Sequence, residues 1–145
     1  MTGDSDVLPW QCLTRYRADC EGARFVDVDF PDLIERKKGT VLGTPELVGM
    51  LDGVRTEGLA APLVLESEQY VQIGCDLRDL KTLQRGLEAA VGDLAECEFL
   101  FVAEVSITYM EREGADKVIR WASTVGNGEF VLAVFFLSWE CWGRC

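Results

Sequence analysis

Three acidic side chains stand where predicted β-strands end: Asp29, Asp76 and Glu104. Each follows a short apolar or alternating segment of the kind that forms a strand. If those strands are parallel, their carboxyl ends share one edge of a sheet, which is where such sheets bind ligands. Carboxylates there accept hydrogen bonds from ribose hydroxyls or an adenine amino group, and they attract a cationic centre. The spacing therefore predicts an acidic cleft for a nucleotide-like ligand.

A structural role is the alternative for each of these acids taken singly. A strand-end aspartate commonly caps the following helix or ties a turn. Three such acids favour the ligand-binding interpretation, because helix capping alone does not require an acid at the end of each of three successive strands.

Strands and helices alternate along the chain and must bring the three acids together. Apolar patterns predict strands over residues 25–29, 63–65, 70–75, 99–103 and 130–137. Helical spacing and start signals predict helices over 31–38, 45–53, 80–91 and 115–122, with a further one after Ser5. Thr44 and Asp79 are predicted helix caps, and residues 99–103 are expected to be buried on both faces. This order predicts an α/β fold with a parallel sheet and helices on both of its faces.

Composition limits the chemistry that the chain can perform. It carries a formal net charge of −11, no histidine, and six cysteines that form no C-x-x-C pair. An acidic segment repels phosphate backbones. The closely spaced cysteine or histidine ligands of a zinc site are missing, and so is the histidine of a histidine-activated nucleophile. No apolar run is long enough to cross a bilayer, and no signal peptide precedes the cysteines, which predicts a cytosolic protein with reduced thiols. The basic cluster at residues 36–38 is predicted to be a solvated helix end, with a phosphate site as the alternative.

Three segments resemble the leucine carboxyl methyltransferase family: Phe25–Lys38, Tyr70–Leu80 and Phe101–Met110, the last followed by a helix with Trp121 and Ala122. They keep the family's order across most of the chain. The resemblance implies a class I, Rossmann-like methyltransferase fold with helices on both faces of the sheet. It also implies S-adenosylmethionine as the cofactor.

The same resemblance implies roles for individual residues. Asp29 would accept the ribose hydroxyls of S-adenosylmethionine, while Asp76 and Leu77 would read the adenine amino group and ring. Glu104 would lie near the methionine end of the cofactor, with Tyr109 lining the same pocket. No catalytic residue and no metal are expected, because a substrate carboxylate is already ionised at neutral pH and needs alignment rather than a general base.

Two shorter segments bear on the substrate. Thr44–Leu47 and Glu66–Tyr70 are more similar to the branch of the family that modifies a wybutosine-type guanosine in phenylalanine tRNA than to the phosphatase 2A branch. That similarity implies carboxyl methylation and methoxycarbonylation of the tRNA base, with the tRNA contacted by parts beyond this acidic segment. The alternatives are a protein C-terminal leucine as the substrate, and a catalytically inert truncated fragment.

The sequence departs from the family's pattern at both ends. The glycine-rich loop near Gly3 is not intact, and the preceding strand, which is central in the family's sheet, is absent. Residues 134–145 do not resemble the family. We therefore expect an incomplete methyltransferase domain over residues 1–133, lacking its first strand and its C-terminal part, and a divergent tail over residues 134–145.

Overall fold

The protein is described here from a computed structural model, which covers residues 8–103, 106–126 and 131–133. The helices are α1 (Leu8–Thr14), α2 (Pro31–Leu42), α3 (Pro45–Val48), α4 (Leu80–Val91) and α5 (Arg112–Ala122). The strands are β1 (Phe25–Asp29), β2 (Leu63–Glu66), β3 (Tyr70–Gly74), β4 (Leu100–Val102) and β5 (Val131–Ala133). None of the helices in these ranges combines the length and the apolar character needed to cross a bilayer.

The first three strands form one sheet in the order β1-β3-β2. β1 runs parallel to β3, and Asp29 pairs with Gly74 at the carboxyl end of both strands. β2 runs antiparallel to β3, so the prediction of a parallel sheet is wrong at this strand. Only residues 67–69 join β2 to β3, and the backbone N–H of Ser67 donates to the Tyr70 carbonyl across the turn (2.9 Å). A connection this short can close a hairpin but cannot make the crossover that a parallel pair needs.

Helices cover both faces of this sheet, as the alternation predicted. Successive side chains of β3 point to opposite faces. Val71 and Ile73 belong to one apolar cluster with buried residues of α4. Tyr70 belongs to a second cluster that includes Val41 of α2. The strand that carries the predicted Asp76 is therefore held from both sides by packed helices.

The last two strands form a separate parallel pair, β4 with β5. β4 is shorter than predicted, and Leu100 is 64% exposed, so the expected burial on both faces is wrong. Within the described ranges β4 pairs with β5, and β1 pairs with β3. Phe101 nevertheless packs on the α4 side of the core and meets the Trp121 ring edge-on at 6.0 Å. The absence of a central strand remains a prediction.

Two helix boundaries differ from the sequence-based expectation. α2 continues to Leu42, so the basic cluster at residues 36–38 lies within the helix and the prediction of a helix end there is wrong. Burial of Val41 against the sheet outweighs the helix-breaking tendency of Gly39. α3 ends at Val48, and the Thr44 hydroxyl donates to the Thr40 carbonyl (2.8 Å) instead of capping α3. Side-chain bonds of this kind compete with capping.

The helices predicted over residues 80–91 and 115–122 are observed as α4 and α5, although α5 begins earlier, at Arg112. A helix is also observed after Ser5, as α1, but the predicted Ser5 cap lies outside the described residues. The Asp79 carboxylate accepts hydrogen bonds from the backbone N–H and the hydroxyl of Thr82, which caps α4 as expected. Leu83 and Leu87 of the predicted apolar stripe are buried. α5 likewise buries part of its predicted stripe, including Val118.

Candidate functional site

Two of the predicted acids lie at the same edge of the three-stranded sheet. Asp29 is the last residue of β1, and Asp76 follows the end of the neighbouring strand β3 by two residues. The backbone N–H of Cys75 donates to the Asp29 carbonyl (2.9 Å), which ties the two strand ends together. A Cβ on Gly74 would lie 3.3 Å from the Cα of Pro31, so glycine lets the first turn of α2 approach this edge closely.

The Asp29 carboxylate is held through both of its oxygens. Oδ1 accepts a hydrogen bond from the backbone N–H of Phe30 (2.8 Å), and Oδ2 lies 3.2 Å from the Lys37 Nζ. The side chain is still 29% exposed. Asp29 does not cap α2, because the residue at the cap position is Phe30 and no side chain bonds there. These two contacts orient the carboxylate, and its exposed part remains accessible to a ligand.

Behind Asp29 lies a buried polar network that the sequence reasoning did not find. The Lys37 ammonium also contacts both Asp27 oxygens (3.1 and 3.2 Å), and the Tyr70 hydroxyl donates to Asp27 Oδ2 (2.9 Å). The fully buried Gln72 amide donates to that hydroxyl (3.1 Å). Spacing was the available signal in the sequence. Acids two residues apart on a strand share a face, and Lys37 lies three residues after Ile34, which places both on the same side of α2.

Asp76 is engaged by Arg78. One carboxylate oxygen accepts from the backbone N–H of Arg78 (2.9 Å), and both oxygens accept from its guanidinium Nε (2.9 and 3.0 Å). These bonds, the side-chain bond first, hold the pKa of Asp76 below its ordinary value. The turn-tying alternative therefore applies to Asp76. The carboxylate is ionised at neutral pH, and the guanidinium Nη2 of Arg78 also donates to Oδ2, so a ligand donor would take the place of an Arg78 bond.

The structure describes two of the three remaining predicted site residues. Leu77 packs against the apolar cluster on the α4 side of the sheet. Tyr109 ends a 3₁₀ turn and is 86% exposed. Glu104 lies outside the described residues. The roles of these three residues stay predictions.

Phe30 is a further candidate that sequence reasoning missed. It directly follows Asp29, and its side chain is 50% exposed. The signal was an aromatic residue between a strand-end acid and Pro31. An aromatic face beside a strand-end carboxylate fits a nucleoside, which has an apolar ring, an amino donor and hydroxyl donors.

A concave region lies at the other end of α4 from Asp76. This cleft of about 520 Å³ is lined by the C-terminal ends of α4 and α5 and includes Glu88, Asp93 and Trp121. Its lining residues 93–95 and 124–126 come shortly before β4 and β5 in the chain, so the cleft lies towards the amino ends of those strands. Ligands of open α/β sheets bind at the carboxyl ends. We therefore assign the candidate site to the edge that carries Asp29 and Asp76.

The thiol beside Asp76 is expected to be unreactive. Burial, with the nearby carboxylates of Asp79 and Asp76, raises the pKa of Cys75 from 9.0 to about 11. At pH 8 iodoacetamide should therefore label the partly exposed Cys97 and leave Cys75 intact until urea unfolds the chain, which peptide mass spectrometry measures. Because the folded state favours the neutral thiol, its contribution to stability is present below pH 9 and is lost as the pH rises towards 11. Labelling of Cys75 at the rate of Cys97 in the folded protein would contradict this.

Comparison with known proteins identifies the family. Residues 13–123 match the family model described as leucine carboxyl methyltransferase. The chain is 46% and 50% identical, over 88% of its length, to the tRNA wybutosine-synthesizing protein 4 of Neurospora crassa and of Gibberella zeae. The human protein of the same name is 38% identical over 67% of the chain.

These relatives are much longer than this chain. The matched regions cover 16% of the Neurospora protein, 13% of the Gibberella protein and 14% of the human protein. The match to the family model nevertheless extends from α1 to the end of α5 and includes both strands of the parallel pair at the candidate site. The chain belongs to the leucine carboxyl methyltransferase family.

Proposed function

We propose that this chain forms the adenosine-binding part of an S-adenosylmethionine-dependent methyltransferase. The observation that carries the proposal is the pair of ionisable carboxylates, Asp29 and Asp76, at the tied ends of two parallel strands. Membership of a methyltransferase family supports it. The two carboxylates offer acceptors to the hydroxyl and amino donors of adenosine and attract a positively charged ligand.

Each residue of the site then has a defined task. Asp29 accepts the ribose hydroxyls, Asp76 accepts from the adenine amino group in place of one of its bonds from Arg78, and Phe30 covers one side of the nucleoside. When bound, S-adenosylmethionine supplies a methyl group on a positively charged sulfur. The chain need not supply a nucleophile or a base, because a substrate carboxylate is ionised at neutral pH. Its work is to align the cofactor and to exclude water.

The roles implied for the other residues complete the proposal. Leu77 contacts the adenine ring, Glu104 lies near the methionine end, and Tyr109 lines the same pocket. Tyr109 is exposed, so this role requires the ligand or a further part of the protein to cover its ring.

We propose phenylalanine tRNA as the substrate carrier. The name of the relatives supports a tRNA substrate, because each is a tRNA wybutosine-synthesizing protein 4. The net charge of −11 opposes a phosphate backbone, so tRNA contacts come from residues outside this segment. The reaction is carboxyl methylation and methoxycarbonylation of the modified guanosine, in the cytoplasm.

A labelled-methyl assay tests the substrate directly. The full chain is incubated with S-adenosylmethionine carrying a tritiated methyl group, and with either phenylalanine tRNA bearing the unmethylated side-chain carboxylate or a peptide ending in leucine. Label on the tRNA that mild alkali releases, as expected of a methyl ester, supports the proposal. Label on the peptide alone assigns the chain to protein carboxyl methylation. No label together with no binding of S-adenosylmethionine identifies an inert chain.

A further inference from the structure

We propose that Lys37 is a positioning residue for Asp29, which fixes the carboxylate in the orientation that receives the two ribose hydroxyls. This inference rests on the proposed function, because it assigns a task within the same site. Lys37 lies on the sheet-facing side of α2 together with Ile34 and Val41, both of which are buried. Its ammonium reaches the strand that ends at Asp29.

The contacts of the ammonium bridge two acids on one strand. Nζ lies 3.1 Å from Asp27 Oδ1 and 3.2 Å from Asp29 Oδ2. The two aspartates are two residues apart on β1 and so project from the same face. Without a cation between them, like charges this close repel, and the more exposed Asp29 would rotate away.

The bridge itself is anchored from behind. Asp27 accepts a hydrogen bond from the Tyr70 hydroxyl, which accepts one from the buried amide of Gln72. Because Tyr70 and Gln72 belong to the central strand β3, this chain of bonds fixes Asp27 against the core. Because Lys37 contacts both aspartates, the fixed position of Asp27 also fixes the Asp29 carboxylate.

The hydrogen-bond inventory of Asp29 matches the two hydroxyls of a ribose. An ionised carboxylate accepts about four hydrogen bonds, two on each oxygen. The Phe30 N–H occupies one position on Oδ1, and the Lys37 ammonium forms an ion pair with Oδ2 at 3.2 Å. One position on each oxygen remains, and neighbouring hydroxyls on a sugar present their donors side by side.

A purely structural role for Lys37 makes a different prediction. Loss of a largely buried ion pair lowers the melting temperature in either case, but a purely structural role would affect all ligands alike. A positioning role instead links Lys37 to the ribose hydroxyls. The two roles are separated by comparing ligands that differ in one hydroxyl.

The test measures the affinity of the full chain for S-adenosylhomocysteine and for its 2′-deoxy analogue by titration calorimetry. Lys37→Met is expected to weaken S-adenosylhomocysteine about tenfold, the size of one charge-assisted hydrogen bond, and to weaken the deoxy analogue about threefold or less. Lys37→Arg should restore most of the affinity. The matched control is Lys38→Met, because Lys38 pairs with Glu35 on the same helix and should change neither affinity.

The outcomes separate this inference from the proposed function. If the wild-type chain binds and Lys37→Met leaves both affinities unchanged, or weakens both ligands equally, only the positioning role of Lys37 is overturned. If the wild-type chain binds neither ligand, the proposed function is overturned, and the role of Lys37 is overturned together with it. Should Lys37→Met not fold, Lys37→Gln replaces it, and the same ratio between the two ligands decides.

Discussion

Asp29→Ala is expected to weaken the binding of S-adenosylmethionine by about 1–3 kcal/mol, or roughly 5- to 150-fold, because hydrogen bonds to a charged acceptor contribute on that scale. Asp29 presents a carboxylate that is oriented through both oxygens and still partly exposed. Its removal costs the ribose both acceptors at once. Titration calorimetry on the full chain measures the effect.

The fold should survive this substitution. Lys37 keeps its contacts with Asp27, and the strand pairing of β1 with β3 does not depend on the Asp29 side chain. Asp32→Ala is the matched control, since Asp32 is an exposed acid in the first turn of α2, three residues further along. An Asp29→Ala chain that melts normally and binds S-adenosylmethionine as tightly as the wild type would remove Asp29 from the site.

Gly86→Val is expected to lower the free energy of unfolding by about 2–3 kcal/mol through overpacking of the core. Gly86 lies in α4 where the helix crosses the sheet. A Cβ at this position would lie 2.9 Å from Ile73 Cγ2 and 3.0 Å from Pro62 Cγ. Ile73 is fully buried and cannot move aside without disturbing β3, the strand that leads to Asp76.

A second helical glycine provides the control with the opposite sign. Gly39 in α2 has no atom within 4 Å of the position that its Cβ would take. Gly39→Ala should therefore raise the free energy of unfolding by about 0.5–1 kcal/mol, the usual gain of alanine over glycine in a helix. Urea denaturation of both variants measures the two changes. Equal stability of Gly86→Val and the wild type would show that α4 does not pack against Ile73 this closely.

The elements that the sequence predicted best are those with a strong local period. The alternation in Phe25–Asp29 and the helical stripe in Leu80–Val91 gave the observed bounds of β1 and α4. Asp79 was predicted as a cap, because an acid before a periodic segment is a local signal. The strand-end positions of Asp29 and Asp76 were also predicted from local patterns, and the role of these acids in binding stays a prediction.

The errors arose where distant contacts decide the structure. The direction of β2 depends on the tight turn before Tyr70, which hydrophobic patterns do not reveal. The length of α2 depends on the burial of Val41 against the sheet, which outweighs Gly39. The contact of Lys37 with Asp29 joins a helix to a strand, so neither the basic cluster nor the alternating acids disclosed it.

The central claim is that an adenosine-bearing ligand binds at the tied carboxyl ends of β1 and β3. Two backbone amides report on this edge, because the N–H of Phe30 donates to Asp29 and the N–H of Arg78 donates to Asp76. We expect both amide resonances to shift in nitrogen–proton NMR spectra during titration of the full chain with S-adenosylhomocysteine, while the Trp121 indole at the far cleft stays unchanged. Shifts at Trp121 with none at Phe30 and Arg78 would contradict the account.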